Sequence, residues 1–217
     1  MAKKRLTKQQ LVVLKTFVFA ACLMPFMFII WETVFNQLGA DPIQTLHFRT
    51  GDWALRFLFI TLSMTPLQRF FHSPIPMRFR RMLGLFAFFY ASLHVLVWLV
   101  LDQSLSMENM IKDVPQSPYI MVGLLAYFML IPLAVTSTSG MMRLLGHSWF
   151  TLHKMIYPTA LLGVLHFFWL TKLDYSEPII YLSILLVLLG FRAALSRRGS
   201  SRHRISIVGL KNVFEKR

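Results

Sequence analysis

Residues 153–166 read HKMIYPTALLGVLH, a mostly apolar stretch that begins and ends on histidine. A third histidine, His94, lies within LFAFFYASLHVLVWLVL, residues 85–101. An imidazole in hydrocarbon is costly unless its ring nitrogens are satisfied, so an ionisable side chain deep in an apolar span points to function. Two neutral imidazoles opposed between helices, as His94 and His166 are expected to be, would supply the two axial ligands that a b-type haem iron needs. Filling both axial positions favours electron transfer over oxygen binding. The competing reading is a pair of packing histidines bonded to backbone carbonyls or to each other.

His153 lies about 20 Å from His166 along a continuous helix, a separation that fits a second haem. Its partner would stand thirteen or fourteen residues before His94, where Arg81 and Arg80 are found. Guanidinium stays protonated and is a poor iron ligand. Arg80, Arg81 and Lys154 are instead expected to converge with His153 on an anion, with Trp149 as an apolar plate. A flavin phosphate, a haem propionate or a quinone oxygen fits that chemistry. The plainer reading is a basic cluster with no ligand.

On a straight helix the rings of His153 and His166 point roughly 140° apart. Pro158 between them is expected to kink the helix and realign the faces. Arg56, a turn past Asp52, either snorkels to the interface or pairs with an anion such as a haem propionate. His47, His72, His147 and His203 read as surface residues.

The elements that must position these groups are membrane helices. The chain has 217 residues, 56% of them hydrophobic, and a mean hydropathy of +0.57. A soluble domain of this length has too little interior to hide that much apolar surface. Six apolar runs of about membrane length are expected at 11–32, 50–68, 83–101, 118–136, 151–170 and 178–195. The predicted fold is all-α, a six-helix transmembrane bundle over 11–195, with a basic segment 1–10 before it and a basic tail 196–217 after it. The first run is too long for a signal peptide and no small-residue cleavage site follows, so it is read as a retained helix. Spans three and five run in the same direction, with His94 about 17 Å and His166 about 23 Å along them. The two rings are therefore expected at one level.

The formal charge of +14 is distributed as a membrane protein distributes it. With the first residues in the cytoplasm, the outer side holds only Arg49, Arg56, Lys112 and Lys172 of the 23 Lys and Arg, and every acid but Glu215. That bias places both termini in the cytoplasm. The basic tail reads as a contact with anionic membrane lipid rather than with nucleic acid. Cys22 is the only cysteine, which excludes an internal disulfide, a Cys-ligated iron–sulfur cluster and covalent haem attachment through C-x-x-C-H. No internal repeat, dinucleotide-binding glycine motif or Walker loop is seen. The thirteen methionines and the Phe-rich stripes read as lipid-facing and packing residues.

RTGDWALRFLFITLSMTPL, RRMLGLFAFFYASLH and AVTSTSGMMRLLGHSWFTLHKMIYPTALLGVLHFFW, in that order, resemble the haem-binding membrane subunits of the periplasmic methionine sulfoxide reductase system. These form the MsrQ (YedZ) family of the ferric reductase-like transmembrane superfamily. The resemblance covers roughly residues 45 to 195. It implies a bacterial inner-membrane protein with one or two b-type haems and flavin mononucleotide. Such a subunit passes electrons from the quinone pool or a cytoplasmic flavin reductase to a periplasmic molybdenum-containing methionine sulfoxide reductase. The family's haem histidines match His94, His153 and His166; Arg80 and Arg81 stand where the superfamily's fourth histidine would be.

On that reading the chain is an electron conduit, and substrate reduction belongs to its partner. Two other functions compete. One is a ferric or cupric metalloreductase of the same superfamily. The other is a non-redox transporter or scaffold, which predicts intramembrane carboxylates; no Asp or Glu lies deep in any expected span.

Overall fold

A computed structural model of the chain describes residues 7–171 and 175–214, from 196 onward as backbone alone. The first basic residues Lys3, Lys4 and Arg5, then Lys172, Asp174 and the side chains of the basic tail with His203, lie outside the described residues. Among the described residues the chain is mostly helical and has no strand.

Helix α1 spans Lys8–Val34 and α2 Pro42–Phe70. A short 3-10 turn, Pro76–Arg78, leads into α3, Arg80–Val97, which runs on as a π turn over Trp98–Asp102. Then follow α4 (Met107–Gln116), α5 (Pro118–Val135), α6 (Ser139–Leu145) and α7 (His147–Leu152). Another 3-10 turn, His153–Met155, joins α7 to α8 (Ile156–Leu170), and α9 is Ser176–Phe214.

Helical structure covers each of the six expected segments, the fifth of them divided among α7, a 3-10 turn and α8. Four of them, α1, α3 with its π turn, α5 and the Ser176–Leu195 part of α9, are long and apolar enough to cross a membrane. The other two fall short for physical reasons. α2 has the length but carries Arg49, Asp52, Arg56 and Arg69. α8 has 15 residues, about 22 Å at 1.5 Å each, against a hydrocarbon core of about 30 Å.

Pro158 follows an interruption of the α-helix between His153 and His166. It lies in the first turn of α8, where its missing N–H has no intrahelical acceptor to lose. The regular helix is interrupted just before it, by the 3-10 turn that holds His153. His153 and His166 therefore sit on different elements, and the angle expected for one straight α-helix does not apply.

The closest-packed pairs are α2 with α3 and α5 with α8, joined through α3 against α5. Their shared core includes Leu62, Ala87, Tyr90, Ala160 and Val164, all buried. Large apolar side chains point outward instead, as Val13, Phe17 and Met24 do on α1. That inverted pattern suits lipid, which solvates apolar side chains as readily as a core does.

α1 starts on a capping box in which Thr7 and Gln10 bond reciprocally. Farther along it is tied to α3 by Tyr90. The Tyr90 hydroxyl donates to the Cys22 carbonyl (2.8 Å) and accepts from the Phe26 amide (3.0 Å), thus inserting into one rung of the helix beside Pro25. Tyr90→Phe removes both bonds and lets the rung re-form without the tie. Unfolding in a detergent titration should show a loss of about 1 kcal/mol, the usual net scale of a buried hydrogen bond. An unchanged midpoint would mean that the tie adds no stability.

Candidate functional site

The two halves of the site are built alike. On one side, His94 of α3 directs Nδ1 at the carbonyl oxygen of His47 on α2, 3.1 Å away. On the other, His166 of α8 directs Nδ1 at the carbonyl oxygen of Tyr119 on α5, 2.7 Å away. Each ring reaches back 47 residues. Each also lies over a glycine one helical turn beyond its acceptor: Gly51 under His94, Gly123 under His166. Histidine, acceptor and glycine all recur 72 residues apart, so α2–α3 and α5–α8 are equivalent pairs. The sequence shows no repeat because the shared positions are few and their neighbours differ.

A carbonyl oxygen only accepts, so both Nδ1 atoms must carry the proton. That fixes the tautomer and leaves each Nε2 with a free lone pair, the neutral form that binds a metal. Thr50 strengthens the arrangement on one side. Its hydroxyl donates to Leu46 O at 2.7 Å and stands 3.4 Å from His94 Nδ1.

The centres of the two rings are 6.0 Å apart and their planes cross at 80°. Two iron–imidazole bonds of about 2 Å, plus roughly 1.2 Å from each nitrogen to its ring centre, sum to about 6.4 Å. The observed spacing is close to what a metal held between two imidazoles would need. Both histidines line one cavity of about 690 Å³ between α2, α3, α5 and α8. Its walls are largely apolar, and its size lies within the roughly 300–1,000 Å³ of cofactor sites. The residues present therefore fit a b-type haem held by His94 and His166.

The cavity's polar groups are gathered at one end. There His47 Nε2 pairs with Asp102 at 2.5 Å, and Gln103 Nε2 donates to Asp113 at 2.8 Å. His47 is thus not a plain surface residue. It is half-buried, and its ring packs edge-on against His94 with centres 5.3 Å apart. His72 and His147 are exposed.

Arg56 lies elsewhere. It bonds Asp52 and Tyr181, both at 3.2 Å, and lies over the Trp53 ring beside α1. It does not line the cavity of the two histidines.

A second cluster forms at the other end of the bundle. His153 stacks on Trp149 with centres 3.9 Å apart, and its Nδ1 lies 3.1 Å from the Trp149 carbonyl. By the same reasoning Nδ1 is the donor. His153 Nε2 is buried and makes no hydrogen bond of good geometry among the described residues, with the Leu133 carbonyl near the ring. Trp149 is held in turn by Nε1 donating to Thr136 O at 3.0 Å. Arg80 is half-buried and lies close enough to His153, Tyr157 and Arg192 for their charges to interact. Arg81 and Lys154, expected in the same cluster, are exposed, because each is one residue and about 100° around the chain from the inward-facing position.

Sequence reasoning missed Arg192. It projects from α9 and donates to the Tyr157 hydroxyl at 2.5 Å, Leu62 O at 3.0 Å and Thr65 Oγ1 at 3.0 Å. The Leu62 carbonyl needs that donor because Pro66, four residues on, has no N–H to give it. That proline was the available signal.

With this geometry in place, comparison with known proteins is informative. Residues 18–164 match the model of the ferric reductase like transmembrane component family. The chain is similar to the protein-methionine-sulfoxide reductase heme-binding subunit MsrQ of Xanthomonas oryzae pv. oryzae strain MAFF 311018. The two are 47% identical over 193 residues, 86% of this chain and 88% of that one. The protein of that name from Xanthomonas campestris pv. campestris strain 8004 is 45% identical over 212 residues, 94% of this chain and 96% of its own. That of Herminiimonas arsenicoxydans is 47% identical over 183 residues, 83% and 84% of the two chains.

Proposed function

Because the chain belongs to the ferric reductase-like transmembrane family, and within it to the heme-binding subunits of protein-methionine-sulfoxide reductase, we propose that it is the membrane electron carrier of such a system. It takes electrons from the quinone pool or a cytoplasmic flavin reductase. It delivers them to a periplasmic molybdenum-containing methionine sulfoxide reductase, which repairs oxidised proteins. The chain sits in the bacterial inner membrane with both termini cytoplasmic, as its skewed Lys and Arg distribution favours.

The observation that carries this reading is the imidazole pair, 6.0 Å apart across an apolar cavity with each Nδ1 proton already committed to a carbonyl. His94 and His166 would hold a b-type haem, which when bound would supply one-electron transfer. The protein's own part is to hold both rings in the right tautomer, exclude water from the walls and keep the polar groups at one end. His153 is a third haem ligand or a contact of the cofactor at the basic end. There flavin mononucleotide or a quinone is held by Trp149 and Arg80, with Arg81 and Lys154 at the exposed rim.

The test uses the purified chain. A dithionite-reduced minus oxidised spectrum should show a sharp b-type band. Mixing reduced protein with the oxidised periplasmic reductase should then reoxidise it faster than ferric chelates do. Faster reoxidation by the chelates would favour direct metal reduction. A colourless protein, prepared with ample haem supply, would end both readings.

A further inference from the structure

The cavity between α2, α3, α5 and α8 has one polar end, and the charges there limit what it can receive. Among the described residues no Lys or Arg lines this cavity, whereas Asp41, Asp52, Asp102 and Asp113 do. Each of these carboxylates already has a partner within the chain. The Gln44 amide donates to Asp41 at 3.0 Å, Arg56 to Asp52 at 3.2 Å and Gln103 to Asp113 at 2.8 Å, while His47 pairs with Asp102 at 2.5 Å. Apart from His94 and His166, His47 is the only basic side chain in the lining, and Asp102 takes up its Nε2. The lining holds no cation to balance a further carboxylate.

Gln103 offers the opposite, an acceptor in need of a donor. It is 3% exposed, and its backbone N–H closes the π turn on the Trp98 carbonyl at 3.0 Å. A carboxylate only accepts, so the amide nitrogen must be the atom facing Asp113, and the carbonyl oxygen is the free end. That oxygen, Oε1, is buried and accepts no hydrogen bond among the described residues. A buried acceptor left unsatisfied is costly, and the cost is recovered when a ligand brings a proton to it.

We propose that Gln103 Oε1 accepts a hydrogen bond from a haem propionate side chain kept in its acid form. Propionates are the strongly polar groups of haem, and setting them against apolar walls is costly, so they would lie at the cavity's polar end. There an ionised carboxylate would meet four like charges and no cation in the lining, which favours the protonated form. Its O–H is the donor that Gln103 lacks. Arg56, expected from the sequence to pair with a propionate, is taken by Asp52 and Tyr181 and stands outside the lining. The assignment rests on the haem-binding reading above and adds to it the residue that selects the acid.

The experiment titrates the full apo-chain in detergent micelles with haem b and with its dimethyl ester, which has no carboxyl proton to donate. The ratio of the two affinities is compared between variants, so unequal partition of the two porphyrins into micelles cancels. Gln103→Met keeps the length of the side chain but neither polar atom. It should lower the preference for the free acid about tenfold relative to the intact chain. Gln103→Asn draws the amide back by one carbon and should lower the preference as well; it serves where the methionine variant does not fold. Gln116→Met, at an exposed amide outside the lining, should leave the ratio unchanged.

In a second measurement the chain is loaded with haem isotope-labelled at the propionate carboxyl carbons. Its infrared spectrum should show a labelled protonated-acid carbonyl band that moves in Gln103→Met. Labelled carboxylate bands alone would overturn the proposal, as would an unchanged affinity ratio in the folded Gln103 variants. Either result with the b-type band intact leaves the His94–His166 pair standing. A chain that shows no b-type band with either porphyrin would sink both.

Discussion

His166→Ala and His94→Ala should each reduce bound b-type haem to about a tenth of the intact chain's content or less. The two effects should be nearly equal. Removing even a supporting partner of a metal-binding histidine costs roughly 10–100-fold in affinity, and removing the ligand itself costs at least as much. The equality follows from the construction of the site. Each ring is held by one carbonyl 47 residues earlier and lies over one glycine, so neither histidine is subordinate. Electron delivery to a periplasmic acceptor should fall with haem content in both variants. His153→Ala should leave the spectrum of the pair in place and remove only what His153 itself binds. The measurement is the reduced-minus-oxidised difference spectrum per mole of folded protein. Full haem retention in either His94→Ala or His166→Ala would reject the pair.

Much of this site could be read from the sequence, and the parts that could not share a cause. His94 and His166 stood out because an imidazole in a long apolar run needs a reason to be there. Their common level followed from counting residues along two parallel spans. The six helical segments were equally legible from hydropathy. Hydropathy could not reveal that α8 stops short of membrane length, since it does not register the 3-10 turn that separates α8 from α7.

The direction of a side chain around its helix was the harder matter. Arg80 and Arg81 are neighbours of the same type, yet one turns inward and the other to the surface. Arg192 lay in a basic segment at the end of an apolar run, where snorkelling is the ordinary expectation. Only the packing of α9 on α2 and α8 shows that it serves a carbonyl freed by Pro66. Gly51 and Gly123 gave a faint signal, each four residues past a carbonyl whose importance is visible only in three dimensions.

Those two glycines give the second large effect. A methyl group at position 123 would stand 2.8 Å from His166 Nδ1 and 2.9 Å from Cε1, closer than atoms can lie without movement. The ring cannot swing away and keep its 2.7 Å bond to Tyr119 O, because that bond is what draws it over the glycine. Gly123→Ala should therefore displace His166, free its tautomer and lower haem affinity by about 10–100-fold, the scale of a lost supporting contact.

At position 51 the corresponding distances to His94 are 3.1 and 3.2 Å, so a shift of a few tenths of an ångström suffices and Gly51→Ala should cost less. Another helical glycine, outside the cavity, calibrates the series. At Gly190 the added carbon meets nothing within 4 Å. The alanine variant there should keep its haem. Titrating haem into the three apo-variants gives the ranking directly, with Gly123→Ala weakest, then Gly51→Ala, then Gly190→Ala. If Gly123→Ala bound haem as tightly as Gly190→Ala, the ring would not be lying over Gly123 when the cofactor is bound. The equivalence of the two helix pairs would then have no bearing on how the metal is held.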